Sequence, residues 1–147
     1  MARFRYRMQN ILNVKEKLES QARNEFAIAA AALNEEEKKL QELVDRKSGY
    51  EEELRQLYLS KLNILSIKET EDAIEIMKLR IEEQKRNVMK AEQKLEIARQ
   101  KLTVAMQDRK THEKLKEKQF EIFVAEEAAK ESKEIDELVS FRHGDGQ

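Results

Sequence analysis

Residues 74–105 read IEIMKLRIEEQKRNVMKAEQKLEIARQKLTVA, and within them Ile74, Met77, Ile81, Gln84, Val88, Ala91, Leu95, Ala98, Leu102 and Ala105 recur at steps of three and four. That spacing keeps one seam of a helix facing a partner helix over about four heptads. A seam of this kind needs a partner. The first half of the chain carries one in Phe26, Ala29, Leu33, Leu40, Leu43, Tyr50, Leu54 and Leu57. The economical reading is an all-α protein of two long helices, folded back on each other as an antiparallel coiled-coil hairpin.

Composition agrees with this reading. Of the 147 residues, 40% are charged and 39% hydrophobic, too few apolar residues for a thick globular core. There is no Pro, and two of the three Gly fall in the last four residues, so little interrupts a helix. The 29 Lys and Arg are interspersed with 30 Asp and Glu. This is the pattern of solvated helix faces, and it argues against nucleic-acid binding through bulk positive charge. The absence of Cys fits a reducing compartment. No signal-like apolar core opens the chain, and no run approaches a membrane span. The expectation is a cytoplasmic, soluble protein without membrane insertion.

The boundaries expected are helix one over about 4–61, a turn at about 62–66, helix two over about 67–141 and a frayed tail over 142–147. Arg3-Phe4-Arg5-Tyr6-Arg7 alternates basic and aromatic residues. It runs into Met8, Ile11, Leu12, Leu18 and Ala22 at helical spacing, so it reads first as the opening turns of helix one; a basic, aromatic patch that docks on a partner protein is the minority reading and is compatible with it. Ser66-Ile67-Lys68-Glu69 has the form of a capping box opening helix two. The apolar turn residues Leu62, Ile64, Leu65 and Ile67 either plug the coil or offer a contact surface. Folding near residue 64 sets the run Ala27-Ile28-Ala29-Ala30-Ala31-Ala32 against Ala98 and Leu102. Lys47, Gln84 and Glu36 are polar residues at seam positions, a placement that sets register. Gly49 weakens helix one by about 1 kcal/mol and is a candidate bend.

Past Ala105 the seam turns polar at Arg109, His112, Lys116 and Gln119. Helix two outruns helix one by roughly 25 Å, leaving an overhang from about residue 126 without an intramolecular partner. No residues converge on chemistry: there is no phosphate loop and no nucleophile with a base, and a lone His112 among charges is a poor metal ligand set. The Glu runs 35–37 and 51–53 lack the burial that separates two carboxyl pKa values. No enzyme activity, cofactor or metal is expected.

The stretches Phe4-Arg5-Tyr6-Arg7-Met8-Gln9-Asn10-Ile11-Leu12-Asn13-Val14-Lys15-Glu16, Ser66-Ile67-Lys68-Glu69, Glu113-Lys114-Leu115-Lys116-Glu117-Lys118-Gln119-Phe120 and Lys133-Glu134-Ile135-Asp136-Glu137, in that order, resemble the flagellar export protein FliJ family over nearly the whole chain. The resemblance implies a coiled coil similar to the stalk of rotary ATPases, working in the flagellar type III export apparatus. It further implies that the end with both termini enters a hexameric export ATPase through Phe4, Met8, Ile11, Leu12, Leu115, Lys116, Lys118, Gln119, Phe120 and Phe123. A membrane export gate protein is met by Leu43, Arg46 and Tyr50, and export chaperones are possible cargo-side partners. The implied location is the inner face of the cell membrane at the flagellar base, and the implied free state a monomer. Against the family pattern, Ala73, Ile74, Ile76 and Met77 stand where aromatic residues are common. Two other readings stay open: a self-associating tether, and a small secretion chaperone using the overhang.

Overall fold

The computed structural model describes residues 2–60 and 63–145, and holds two helices, α1 (Gln9–Leu59) and α2 (Ile64–Asp145), of 51 and 82 residues. No strand occurs among the described residues. The two helices contact each other as an antiparallel hairpin. The chain divides into two compact units, one of Ala22–Leu102 and one of Met1–Gln21 with Thr103–Gln147.

In the unit of Ala22–Leu102 the seam of α2 is the core. Ile74, Met77, Ile81, Val88, Ala91 and Ala98 are buried, with Met77 only 2% exposed. Across from them Phe26, Ala29, Leu33, Leu40, Leu43, Tyr50, Leu54 and Leu57 are half-buried on α1. The seam is one residue wide, so each layer excludes water through only a few side chains. One layer is polar: the buried Gln84 donates from Nε2 to the Glu36 carbonyl oxygen at 2.9 Å and to its carboxylate at 2.6 Å. Asn87 donates to Gln84 Oε1 at 3.1 Å. Sliding the helices would strand the Gln84 amide in an apolar layer, so this contact specifies register at some cost in stability. Lys47, the other polar seam residue, is half-buried and pairs with Glu51 at 3.4 Å.

Two sequence expectations change in this unit. Helix α2 starts at Ile64, not 67, because Asn63 caps it: its carboxamide oxygen accepts from the Ser66 amide at 3.3 Å. Asn is as good a cap as Ser, and capping at 63 puts Ser66 inside the first turn, where its carbonyl accepts from Thr70 Oγ1 at 2.9 Å. The second change concerns the neighbours of the Ala run. With the register held at Glu36–Gln84, the Ala run lies beside Asn87, Lys90, Ala91 and Lys94 rather than Ala98 and Leu102. Only Ala29 and Ala30 of the run are half-buried; Ala27, Ala31, Ala32 and Ile28 are exposed.

Ile64 and Leu65 are 77% and 67% exposed and do not plug the coil, whereas Ile67 is half-buried. Leu62 and residue 61, expected in the turn and at the end of helix one, lie outside the described residues. Gly49 lies within uninterrupted helix, and a Cβ there would meet nothing within 4 Å. Gly49→Ala is therefore expected to stabilise the fold by about 1 kcal/mol. A urea midpoint unchanged or lowered in this variant would show a backbone need for glycine.

The other unit contains the first turns of α1, the arm before it and α2 from Thr103. Residues 2–6 have no regular secondary structure, Arg7 and Met8 form a turn, and the Gln9 amide donates to the Tyr6 carbonyl at 3.2 Å. Helix α1 thus begins five residues later than the helical spacing predicts. Along the arm burial alternates: Phe4 is half-buried and Tyr6 buried, while Arg3, Arg5 and Arg7 are exposed. A helix would put residues two apart on different faces; only an extended path turns both aromatics onto α2. The overhang on α2 is present, with every residue over 128–144 exposed. Helix continues through 142–145, expected to fray, and Gly146 and Gln147 lie outside the described residues.

Candidate functional site

The candidate site is built where the arm meets α2. Phe4 seats edge-on against Phe120, with ring centroids 5.2 Å apart at 74°, and against Phe123 at 5.5 Å and 50°. These are favourable aromatic geometries. Phe120 and Phe123 lie three residues apart on one face of α2, which is why a single ring touches both. Beside the clamp lie two open grooves. One, of about 490 Å³, is lined by Phe4, Tyr6, Met8, Leu115 and Gln119 among others. The second, of about 400 Å³, lies among Phe4, Leu12, Glu16, Glu113, Lys116 and Phe120.

Below the clamp the pairing of α1 and α2 is electrostatic. Ile11 and Leu18, expected in the seam, are 42% and 45% exposed, and the inward positions belong to Leu12, Lys15 and Glu19. Glu19 is 6% exposed and accepts from Arg109 Nε, while Arg109 Nη1 lies 2.7 Å from Glu113. These two carboxylates hold the guanidinium more firmly charged than usual. Lys15 contacts Asp108 at 2.7 Å and, through that bond, holds its carboxyl below the ordinary carboxylate range. His112 is half-buried, with Nε2 3.9 Å from Asp108 and Nδ1 without a hydrogen-bond partner. The Tyr6 hydroxyl is likewise buried and unpartnered. The polar stretch past Ala105 therefore takes part in pairing, through Asp108 and Arg109. It meets a polar seam on α1 that apolar periodicity alone did not reveal.

The structure brings together most of the residues expected to meet an ATPase. Met8, Ile11, Leu115 and Phe120 are 39–49% exposed, Lys118 and Gln119 are exposed, and Phe4, Lys116 and Phe123 are half-buried. Leu12 is 3% exposed, so it packs inward. Tyr6 joins the site without having been singled out; the alternation around it was the available signal. Of the residues expected at an export gate, Leu43 and Tyr50 are half-buried in the seam of the unit Ala22–Leu102, and Arg46 is exposed. Among the described residues no three His, Cys, Asp or Glu are disposed to hold a metal ion, and no helix is long and apolar enough to cross a membrane.

A two-helix coil with an aromatic clamp, open grooves and a bare helical overhang is a protein whose working surfaces are docking surfaces. Residues 4–147 match the family described as Flagellar FliJ protein, and the chain belongs to that family. Membership makes it a structural component of flagellar type III protein export. No curated protein matches the chain. Among solved structures it is similar to CT670 of Chlamydia trachomatis, described as a YscO homologue. The TM-score is 0.67 with 22% identity over 96% of both chains, a likeness of fold.

Proposed function

We propose that this protein is the stalk of the flagellar export machine: the clamp end enters the central hole of the hexameric export ATPase and activates hydrolysis. The body of the coil then links that ring to the membrane export gate through Leu43, Arg46 and Tyr50, at the inner face of the membrane. The observation that carries the reading is the clamp itself. Phe4 is held by Phe120 and Phe123, while Met8, Ile11, Leu115 and Phe120 keep 39–49% of their surface open around it. Apolar surface left exposed beside a rigid aromatic anchor is characteristic of an interface centre. On this reading the free protein is a monomer and has no activity of its own. The exposed Ile135, Leu138, Val139 and Phe141 of the overhang favour a second contact, with export chaperones.

The test is the hydrolysis rate of the cognate ATPase with and without this protein. Wild type should stimulate it, and Leu115→Ser with Phe120→Ser should lose at least tenfold in half-maximal concentration, the size expected for two hot-spot side chains. Helicity of the variant should be unchanged, since both side chains are 41–49% exposed. A wild type that neither binds nor stimulates the ATPase removes the stalk reading and leaves the tether.

A further inference from the structure

Within the coil, basic side chains are commonly held by a carboxylate one turn away, as in Lys38–Glu35, Arg55–Glu52, Lys78–Glu75 and Lys85–Glu82. Arg3, Arg5 and Arg7 are exposed and, among the described residues, have no ion-pair partner, as is also true of Lys17, Arg80 and Lys101; what sets them apart is that they alternate with the inward-docked Phe4 and Tyr6. Their placement is a consequence of the clamp. Docking Phe4 and Tyr6 inward turns Arg5 outward between them; Arg3 and Arg5 follow each other at roughly 7 Å along extended chain, and Arg7 comes next, exposed in the turn that opens α1. Arg3, Phe4 and Arg5 line a shallow concavity of about 500 Å³. The arm is also pinned, which removes much of the ordering cost that a loose basic tail would meet on binding.

We infer that the row of Arg3, Arg5 and Arg7 is a recognition element for a compact cluster of carboxylates on a protein partner. Guanidinium forks match carboxylate geometry in pairs of hydrogen bonds. Carboxylates three or four residues apart on a helix, or two apart on a strand, present nearly the same spacing as Arg3 and Arg5. Extended polyanions fit less well. The chain beyond the clamp is acidic, with Glu126, Glu127, Glu131, Glu134, Asp136, Glu137 and Asp145 against Lys130, Lys133 and Arg142, and the net charge of the whole chain is −1. A lipid surface or a nucleic-acid duplex laid along this end would meet those carboxylates. The aromatics that might stack on bases are committed to the clamp. The inference rests on the stalk reading and deepens it: the carboxylates belong to the rim of the ATPase hole, and the arginines steer the apolar clamp into it.

The experiment uses the full chain and the cognate ATPase, with affinity measured at about 50 mM and about 500 mM salt, where screening differs strongly. Arg3→Gln, Arg5→Gln and Arg7→Gln combined should weaken binding about tenfold or more at low salt, through a slower association rate, and converge on wild type at high salt. Arg→Lys at all three should restore the salt dependence and only part of the affinity. Equal affinity of wild type and the Gln variant at low salt, while Leu115→Ser with Phe120→Ser still weakens binding at least tenfold, overturns the arginine row and leaves the stalk. A wild type that does not bind at all overturns both. Arginine-dependent binding to phosphatidylglycerol vesicles, with arginine-independent binding to the ATPase, also overturns it and assigns the row to lipid.

Discussion

Met77→Ala should lower the free energy of unfolding by about 2–3 kcal/mol, among the largest effects of any single truncation in this chain. Met77 is 2% exposed, the least of the buried residues, and sits in a seam one side chain wide between Ile74 and Ile81. In a thick core neighbouring layers relax into the space left by a lost side chain. A two-helix coil has no second layer, so the loss is of transfer energy plus a gap open to water. Leu79, two residues on, is 73% exposed, and Leu79→Ala should change stability by less than about 0.5 kcal/mol. Urea unfolding followed by circular dichroism compares the two directly. Equal costs would mean that the seam of α2 is not the one described.

The second large effect is local. Phe4→Ala should release the arm while leaving the rest of the coil folded, because Phe4 is the residue whose ring contacts tie it to Phe120 and Phe123. Losing half the burial of a Phe together with its ring contacts is worth about 2–3 kcal/mol, or roughly thirty- to a hundred-and-sixtyfold in the open population. Trypsin reads this out, since Arg3, Arg5 and Arg7 are cut only when the arm enters the protease cleft as free chain. Faster cleavage in this segment without a shift in global unfolding is the expected result. Unchanged cleavage would mean that Tyr6 and the Gln9–Tyr6 hydrogen bond hold the arm without the clamp.

Much of the fold was legible because heptad periodicity is a local property. Any helix with apolar residues at 74, 77, 81, 88, 91 and 98 has one greasy seam, and every one of these positions is buried. The polar positions Glu36 and Gln84 were legible as register devices, though not that they bond to each other. The clamp residues were named as a set through family resemblance, and the structure places Phe4 on Phe120 and Phe123. Their neighbours were harder. Ile11, Val14 and Leu18 recur at helical spacing, but so do Leu12, Lys15 and Glu19. Leu12 was expected inward along with Ile11 and Leu18; the structure turns Leu12, Lys15 and Glu19 inward, facing a stretch of α2 that offers Asp108, Arg109 and His112. A carboxylate as buried as Glu19 needs a cation against it, and Arg109 supplies one.

Sequence alone determined the helical class, the heptad seam of α2 and the absence of any strong interruption, since each follows from residue spacing and backbone propensity within one segment. Only the tertiary structure decided the path of the arm, the cap at Asn63, the neighbours of the Ala run and the charged seam beneath the clamp. Those depend on what a second segment presents, and a helix with two possible faces has no means of choosing between them until its partner is in place.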